Sequence, residues 1–414
     1  MISTITTANK VLKSVYLSAI SEALNQNINP LLAQFKKTSA DVWGKEVIKA
    51  VQYGINGGIG SGSEDGTLPV ASGNKYEQFK LELKNLYGVI ELSDKVIRAS
   101  SNNAGAMVNL LNAEMEGLLK ASSANFGRML YGDGSGVLAK VTEAAASTTT
   151  LKVDDVSKFN IGMNVSVYNA GGVCLNNFAS RTVTGIDREN SKITIDGTSS
   201  LTITANSLIC VQGSYNNELT GLGAIFDSAS LYGISKTNND FMNPLKNDLS
   251  SGSTKQDIDD IAIQTNIDIL EDRWGSTVDF IVCSSGVKRN YFKYLNQFKQ
   301  NVDAMNLEGG YKAVSFNGIP LVSDRFCPAN TMYLLNTKDF ALHQLCDWQW
   351  MESENGSILR QVPGYPAFTA VLVKYADLLC SRPCGQGRIT GINESSGLTP
   401  VVHKIIDVTP SSGS

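Results

Sequence analysis

Cysteine and histidine side chains in the C-terminal third provide the best set of potential metal ligands in this sequence. His343 and Cys346 form an HxxC pair, and Cys380 and Cys384 form a CxxxC pair. Zinc accepts both ligand types, but the second spacing is longer than the common CxxC. We therefore favour buried thiols over a zinc site, and we predict that the protein holds no metal and no cofactor.

Residues for acid–base or nucleotide chemistry are scarce. The chain has two histidines, His343 and His403, and its carboxylates at Asp154–Asp155 and Asp259–Asp260 are sequence neighbours, so their side chains diverge. The glycine-rich segment 54–66 lacks the Gly-Lys-Ser/Thr sequence that ends a phosphate-binding loop. These patterns predict a protein that is not an enzyme, and they favour 54–66 as a mobile hairpin tip that folds on a neighbour.

Two tryptophans, Trp348 and Trp350, flank Gln349 at strand spacing, so both rings are predicted to lie on one face. Such a pair could stack against a sugar or a base. We favour packing within the core or between subunits, because large aromatic side chains dominate both kinds of contact.

Length and charge narrow the class of protein. The chain has 414 residues, more than the roughly 250–300 over which one core grows, so at least two packed units are expected. The net charge of −4 disfavours a dedicated nucleic-acid reader, and no apolar run approaches the roughly 18 residues of a membrane span. The apolar spacing from Val11 to Leu24 is helical and does not resemble a secretory signal. Seven cysteines, an odd number, indicate reduced thiols and not a disulfide framework.

The order of the predicted elements is the most informative pattern. KEVIKAVQY at 45–53 and the strictly alternating KYEQFKLELK at 75–84 predict a long hairpin whose apolar face must be covered. A helix of roughly 27 residues follows Ser100–Asn102, short strands separated by turns fill 151–213, and helices and strands then alternate. We predict an arm (1–43), a hairpin (44–92), a segment with the long helix (93–138), an inserted β segment (139–215) that opens with a linker at 139–150, a mixed α/β segment (216–391) and a C-terminal extension (392–414).

Three stretches of this sequence resemble the major capsid proteins of tailed phages with the HK97 fold. YEQFKLELKNLYGVIELSDKVIRAS at 76–100 is similar to the return strand of that family's E-loop. LLNAEMEGLLKASSANFGRMLYGDGSG at 110–136 is similar to its spine helix, and GGYKAVSFNGIPLVSDRFCPANTMYLLNTKDFAL at 309–342 to a hairpin and following strand. The inserted β segment is absent from the minimal fold, and the arm is too short for the scaffolding segment that some members carry.

The resemblance implies an α+β, HK97-like fold with an N-terminal arm, an E-loop hairpin, a spine helix, peripheral and axial domains and an inserted small β-barrel. It implies a structural protein that assembles with itself into hexamers and pentamers of an icosahedral or prolate head, with a portal and a separate scaffolding protein as partners. The head encloses double-stranded DNA, which the basic arm (Lys10, Lys13, Lys36 and Lys37) could contact non-specifically. Such a protein is assembled in the bacterial cytoplasm, ends in the virion, and has no membrane partner.

The resemblance also suggests where subunits meet. Contacts between subunits are expected at Lys45, Tyr53, Tyr76, Phe79, Lys80, Leu81, Lys84, Trp348 and Trp350. One branch of the family joins subunits through covalent Lys–Asn links, for which Lys75, Lys80 and Lys84 are candidates. That chemistry needs a desolvated lysine beside a carboxylate, so we favour solvated or salt-bridged lysines on the polar face of the strand.

Three other classes of protein remain as alternatives. An encapsulin-like compartment shares the fold but encloses enzymes, so its cargo distinguishes it from a phage head. A secreted β-rich adhesin or surface-layer protein would explain the abundance of Ser, Thr and Asn, but it needs a signal peptide. An enzyme needs a set of catalytic residues that the sequence does not offer.

Overall fold

The computed structural model describes residues 29–40, 42, 44, 46–95, 104–146, 148–175, 178–197, 202–297, 304–306, 312–352, 356 and 358–394. Its helices are α1 (Pro30–Gln34), α2 (Ala104–Met129), α3 (Leu222–Asp227), α4 (Asp260–Trp274) and α5 (Ser285–Gln297). Single-turn 3-10 helices lie at Asp240–Met242, Thr337–Asp339 and Pro383–Gly385.

The strands up to α3 are β1 (Lys36–Thr38), β2 (Glu46–Gly54), β3 (Lys75–Glu82), β4 (Lys84–Ser93), β5 (Val137–Lys140), β6 (Ala145–Ala146), β7 (Thr150–Lys152), β8 (Asn164–Tyr168), β9 (Arg181–Asp187), β10 (Lys192–Ile195), β11 (Thr202–Ile203) and β12 (Leu208–Val211). Those after it are β13 (Ser230–Leu231), β14 (Ile234–Ser235), β15 (Leu245–Asp248), β16 (Phe280–Cys283), β17 (Ala304–Asn306), β18 (Lys312–Phe316), β19 (Ile319–Ser323), β20 (Met332–Leu335), β21 (Phe340–Trp350), β22 (Arg360–Gln361), β23 (Ala367–Cys380) and β24 (Gly387–Thr390).

The predicted long hairpin is formed by β2 and β3, which pair antiparallel from Glu46 opposite Glu82 to Gly54 opposite Lys75. The chain continues through β4 into a second sheet, where β4 pairs antiparallel along ten residues of β23. This sheet has the strand order β1-β21-β23-β22, with β4 also on β23. The hairpin is therefore a direct extension of a large sheet and has a firm base.

Helix α2 is the long helix that the sequence predicts, and it lies against this sheet. Met115 and Leu119 pack with Ile90 of β4 and Leu372 of β23. Its 26 residues span roughly 39 Å at 1.5 Å per residue.

The C-terminal end of α2 is closed by the start of α3. The Leu222 N–H donates to the Leu130 carbonyl at 2.8 Å, which satisfies a carbonyl that a helix end leaves open. Gly221 makes this approach possible, because a Cβ there would lie 2.4 Å from the Met129 carbonyl oxygen.

Residues 137–211 form a six-stranded sheet of order β5-β12-β8-β9-β10-β7 with an apolar core of its own. The chain enters and leaves it at one point, since the Asn216 N–H donates to the Ser135 carbonyl at 2.8 Å. The predicted linker at 139–150 is wrong, because β5 and β6 use its small residues as strands. The closed barrel and the domain boundaries stay predictions.

The C-terminal half is built on a seven-stranded sheet of order β15-β24-β20-β16-β19-β18-β17. Helices α4 and α5 share one core with one face of this sheet. Asn317 and Gly318 form the turn of the hairpin expected within 309–342 and join β18 to β19, with φ of 48° and 82° as a type I′ turn requires. Helix α4 begins at Asp260, because the Asp259 side chain caps it by accepting from the Ala262 N–H.

Among the described residues, no helix is both long enough and apolar enough to cross a lipid bilayer.

Candidate assembly surfaces

The apolar side of the hairpin base is covered by the chain itself. Phe79 has 0% of its surface exposed, and its ring stacks on Tyr232 with centroids 5.4 Å apart. The Lys80 N–H donates to the Tyr232 carbonyl at 3.1 Å, and Leu81 is buried in the same core. The expectation that Phe79 and Leu81 contact a neighbour is therefore corrected. Alternation shows which residues share a face, but it does not show what covers that face.

The hairpin tip, residues 55–74, contains no helix or strand, and nearly all of its residues are exposed. Four large apolar side chains there are 80–90% exposed: Ile55, Ile59, Leu68 and Val70. The tip joins two strands and not a strand to a helix, so it lacks the context of a phosphate-binding loop. Four large apolar side chains that one loop leaves in solvent make this tip a candidate interaction site.

Of the remaining residues that the sequence singled out, Tyr76 and Lys80 lie on the side of β3 opposite to Phe79 and Leu81, whereas Tyr53 lies on the same side as Val51 and Lys84 belongs to β4. Tyr76 is 58% exposed, and Tyr53 is partly exposed while its ring stacks on Phe241 at 4.5 Å. Lys80 is exposed and Lys84 is half-buried. Lys45 lies outside the described residues. Contacts of these residues with a neighbour stay predictions, and the exposure of Lys80 gives it no desolvation toward cross-linking.

The two tryptophans pack toward α2, on one face as predicted. Trp350 is buried with Met115 and Leu119, and Trp348 meets the Phe126 ring edge-on with centroids 6.4 Å apart. Trp350 therefore belongs to the chain's own core, which corrects its assignment as a contact between subunits. Trp348 is half-buried, and its contact with a neighbour stays a prediction.

A buried lysine beside Trp348 is a feature that the sequence analysis missed. Lys374 of β23 lies with its Nζ 2.6 Å from Asp347 Oδ1 and 2.8 Å from Gln344 Oε1. Burial lowers the pKa of Lys374, while the ammonium holds the pKa of Asp347 below its ordinary value against burial. The Nζ of Lys37 in β1, one of the arm lysines that could contact DNA, lies 3.7 Å from Asp347 Oδ2. Asp347, with Lys37 on one side and Lys374 on the other, thus links the end of the arm to the sheet of β21 and β23.

Asp377 is a second buried charge that sequence reasoning missed. Its carboxylate accepts from the Thr220 N–H at 2.7 Å and the Thr220 hydroxyl at 2.9 Å. Burial raises its pKa from 3.8 to about 6, against these hydrogen bonds. Asp377 holds the chain that returns from the inserted sheet onto β23, so its role is in folding. The only sequence signal was a carboxylate within an apolar strand.

The candidate zinc ligands do not come together. No cluster of three or more His, Cys, Asp or Glu side chains with metal-binding geometry occurs in the part of the chain that the structure describes. Burial raises the pKa of Cys384 to about 11, and burial also raises the pKa of Cys380 well above its ordinary value, so both thiols stay protonated at neutral pH. His343 and Cys380 are buried in the sheet of β21 and β23.

The side of this sheet away from α2 carries an apolar patch that the sequence analysis also missed. Tyr87 and Val89 of β4 and Leu345 of β21 are exposed, and Tyr87 meets Tyr375 edge-on at 6.4 Å. The signal was present in the alternation of β4, where apolar residues occupy both faces. Together with the hairpin tip, this patch is an apolar surface that an isolated chain leaves uncovered.

Comparison with known proteins adds evidence on the fold. No family model matches the chain, and no curated protein matches its sequence. Among solved structures it is similar to the capsid asymmetric unit of cyanophage A-1(L), with 13% identity, a TM-score of 0.54, and coverage of 88% of this chain and 93% of that chain.

Two further structures align at lower TM-scores. One is the capsid of an empty GTA particle, with 11% identity, a TM-score of 0.46, and coverage of 87% of this chain and 90% of that chain. The other is the holo-SrpI encapsulin complex from Synechococcus elongatus PCC 7942, with 9% identity, a TM-score of 0.43, and coverage of 90% and 91%.

The chain has the fold of the cyanophage capsid protein, and the predicted HK97-like α+β fold is confirmed. The match extends over most of both chains. At 13% identity the comparison concerns the fold, and function must be argued from the surfaces of this chain.

Proposed function

We propose that this chain is the major capsid protein of a tailed phage or prophage, a structural subunit that assembles with itself into a closed shell. The single observation that carries the proposal is the hairpin tip. Its base is fixed in the chain's own core through Phe79, while its end presents Ile55, Ile59, Leu68 and Val70 to solvent. A fixed arm with an apolar end is suited to reach across a neighbouring copy.

The energy available from this contact supports assembly. Burying one large aliphatic side chain contributes roughly 1.5–3 kcal/mol. Four such side chains at the tip therefore offer roughly 6–12 kcal/mol per copy before the entropy of ordering the segment is subtracted. Each copy both gives and receives a tip in a ring, so this contribution is repeated around every closed ring.

The same proposal covers the arrangement and the partners. Copies form hexamers and pentamers of an icosahedral or prolate head around double-stranded DNA, with a portal and a separate scaffolding protein, and without catalysis. Assembly takes place in the bacterial cytoplasm, and the product is the virion. The fold shared with a phage capsid protein supports this assignment, and an encapsulin-like shell differs from it in its cargo.

Sedimentation velocity tests the proposal directly. We expect the wild-type chain, alone or with its scaffolding protein, to sediment as rings or shells. The variant with Ile55→Ser, Ile59→Ser, Leu68→Ser and Val70→Ser is expected to stay a 44.5 kDa monomer with an unchanged melting temperature. Nuclease-protected DNA inside particles from infected or induced cells would identify a phage head, and protein cargo would identify a compartment.

A matched control distinguishes a specific effect of the tip residues on assembly from a general effect of replacing exposed apolar side chains. Ile161 and Val173 of the inserted sheet are also strongly exposed, and their replacement by serine is expected to leave assembly unchanged. If the tip variant assembles like the wild type, the hairpin does not hold neighbours together and the proposal loses its main support.

A further inference from the structure

Two helices of the C-terminal half carry opposite charges on their outward faces. We propose that copies of this chain join through these helices, with the acidic face of α4 on one copy against the basic face of α5 on another. The inference rests on the proposed shell function, and it names a contact distinct from the hairpin tip.

The acidic face of α4 is the row of exposed residues Ile261, Thr265, Asp268 and Asp272, and the exposed residues Glu271 and Arg273 lie beside it. Residues Ile263, Ile267 and Leu270 point the other way into the core. The whole helix has four carboxylates against one cation, Arg273. Ile261 is 73% exposed, so the acidic face also offers an apolar side chain to a partner.

The basic face of α5 consists of its exposed residues Ser285, Arg289, Lys293 and Asn296. Val287, Tyr291 and Leu295 on the opposite side enter the same core as α4. The helix has three cations, Lys288, Arg289 and Lys293, and no carboxylate. Both helices therefore turn charged faces of opposite sign away from one shared core.

The spacing of these charges is unfavourable within an isolated chain. Asp268 and Asp272 stand four residues apart, and so do Arg289 and Lys293, so each helix places like charges on neighbouring turns. Such a pair destabilises a helix by roughly 0.2–0.5 kcal/mol. A facing helix of opposite charge offsets both costs at once.

The chain itself satisfies only part of this charge. Lys293 has one partner, Asp257, at 3.5 Å, and Asp268 accepts a hydrogen bond from Gln264 at 2.6 Å. Within the described part of the chain, neither Arg289 nor Asp272 has a salt-bridge partner. A second copy supplies the missing partners for both, because it carries both faces. Complementary charges of this kind select the partner and its register.

Charge reversal tests the contact. The first variant carries Asp268→Lys and Asp272→Lys, so both of its faces are basic. The second carries Arg289→Glu and Lys293→Glu, so both are acidic. We expect neither variant to assemble alone, and an equal mixture of the two to form complexes between unlike copies, because each α4 face then meets an α5 face of opposite sign. A chain with all four substitutions is expected to assemble alone.

Controls separate this contact from misfolding and from general charge effects. Each variant must keep the wild-type melting temperature, and Arg188→Glu with Lys192→Glu, on the exposed surface of the inserted sheet, is expected to assemble normally. The helix contact is refuted if both charge-reversed double variants assemble alone. It is also refuted if the mixture of the two folded double variants forms no complexes and the variant with all four substitutions does not assemble. The proposed shell function stands in either case. If the wild-type chain itself never assembles, the proposed function fails and the contact fails with it.

Discussion

The hairpin offers a direct comparison of two aromatic residues on one strand. Phe79 and Tyr76 lie three residues apart on β3, yet Phe79 is fully buried against Tyr232 and Tyr76 is exposed. Replacing each by alanine removes a ring of nearly the same size. The two variants therefore separate the role of the hairpin in folding from its role in contacts between copies.

The expected costs follow from burial. Truncation of a fully buried phenylalanine to alanine costs roughly 3–5 kcal/mol, from lost transfer free energy and the cavity left behind. That cost corresponds to roughly a hundredfold to a few thousandfold in the folding equilibrium. Replacement of the exposed Tyr76 is expected to change the free energy of unfolding by no more than roughly 0.5 kcal/mol.

Denaturant unfolding of unassembled subunits measures both changes, and hydrogen exchange at the amides of β2 and β3 locates them. We expect Phe79→Ala to lower the free energy of unfolding and speed exchange in the hairpin, while Tyr76→Ala changes assembly only. If Phe79→Ala leaves unfolding unchanged but blocks assembly, Phe79 is a contact with a neighbour and the reasoning from burial is wrong.

Three further predictions concern the parts that support the hairpin. Gly221→Ala places a Cβ 2.4 Å from the Met129 carbonyl oxygen and is expected to lower the free energy of unfolding, measured by thermal unfolding, by roughly 1–3 kcal/mol. Gly117→Ala is the control, because it has open space in the middle of α2 and is expected to raise the free energy of unfolding by roughly 0.5–1 kcal/mol. Equal effects of the two substitutions would contradict the close packing at Gly221. Asp377 has a pKa of about 6 in the folded chain and 3.8 ordinarily, so the folded state holds its proton more tightly. The contribution of this proton to the free energy of unfolding is full below pH 3.8 and is lost as pH rises through about 6, which amounts to roughly 3 kcal/mol. Asp377→Asn is expected to remove this pH dependence from denaturant unfolding. If the Asp377→Asn variant keeps the same decrease in the free energy of unfolding between pH 3.8 and about 6, other titratable groups cause that decrease. Deletion of 137–213 is expected to leave a chain that folds and assembles, because the residues that flank this segment already contact each other. Circular dichroism measures folding and sedimentation measures assembly. Aggregation of the deletion variant would show that the inserted sheet is needed for the stability of the remaining chain.

The strands, the long helix and the Asn317-Gly318 turn were predictable because each rests on local signals. Alternation identified β3, and spacing of three and four identified α2. What covers each element was not predictable in the same way. The sequence predicts that Phe79 contacts a neighbouring copy, whereas in the fold its ring stacks on Tyr232, which lies more than a hundred residues later in the chain.

Buried charges were also beyond the sequence. Lys374 lies in an apolar strand, and only the fold brings Asp347 to within 2.6 Å of it across the sheet. The cysteines show the reverse case, since the preference for buried thiols over a zinc site came from their spacing alone, and Cys380 and Cys384 are buried in β23 and in the 3-10 helix that follows it. Local pattern therefore predicted the elements, while the pairing of distant residues required the structure.

Electron cryomicroscopy of the assembled wild-type chain tests the central claim most directly. We expect closed shells of uniform diameter, in which residues 55–74 of each copy lie on a neighbouring copy and bury Ile55, Ile59, Leu68 and Val70. A chain that stays a 44.5 kDa monomer even with its scaffolding protein, or a shell in which these four side chains face solvent, would contradict the account.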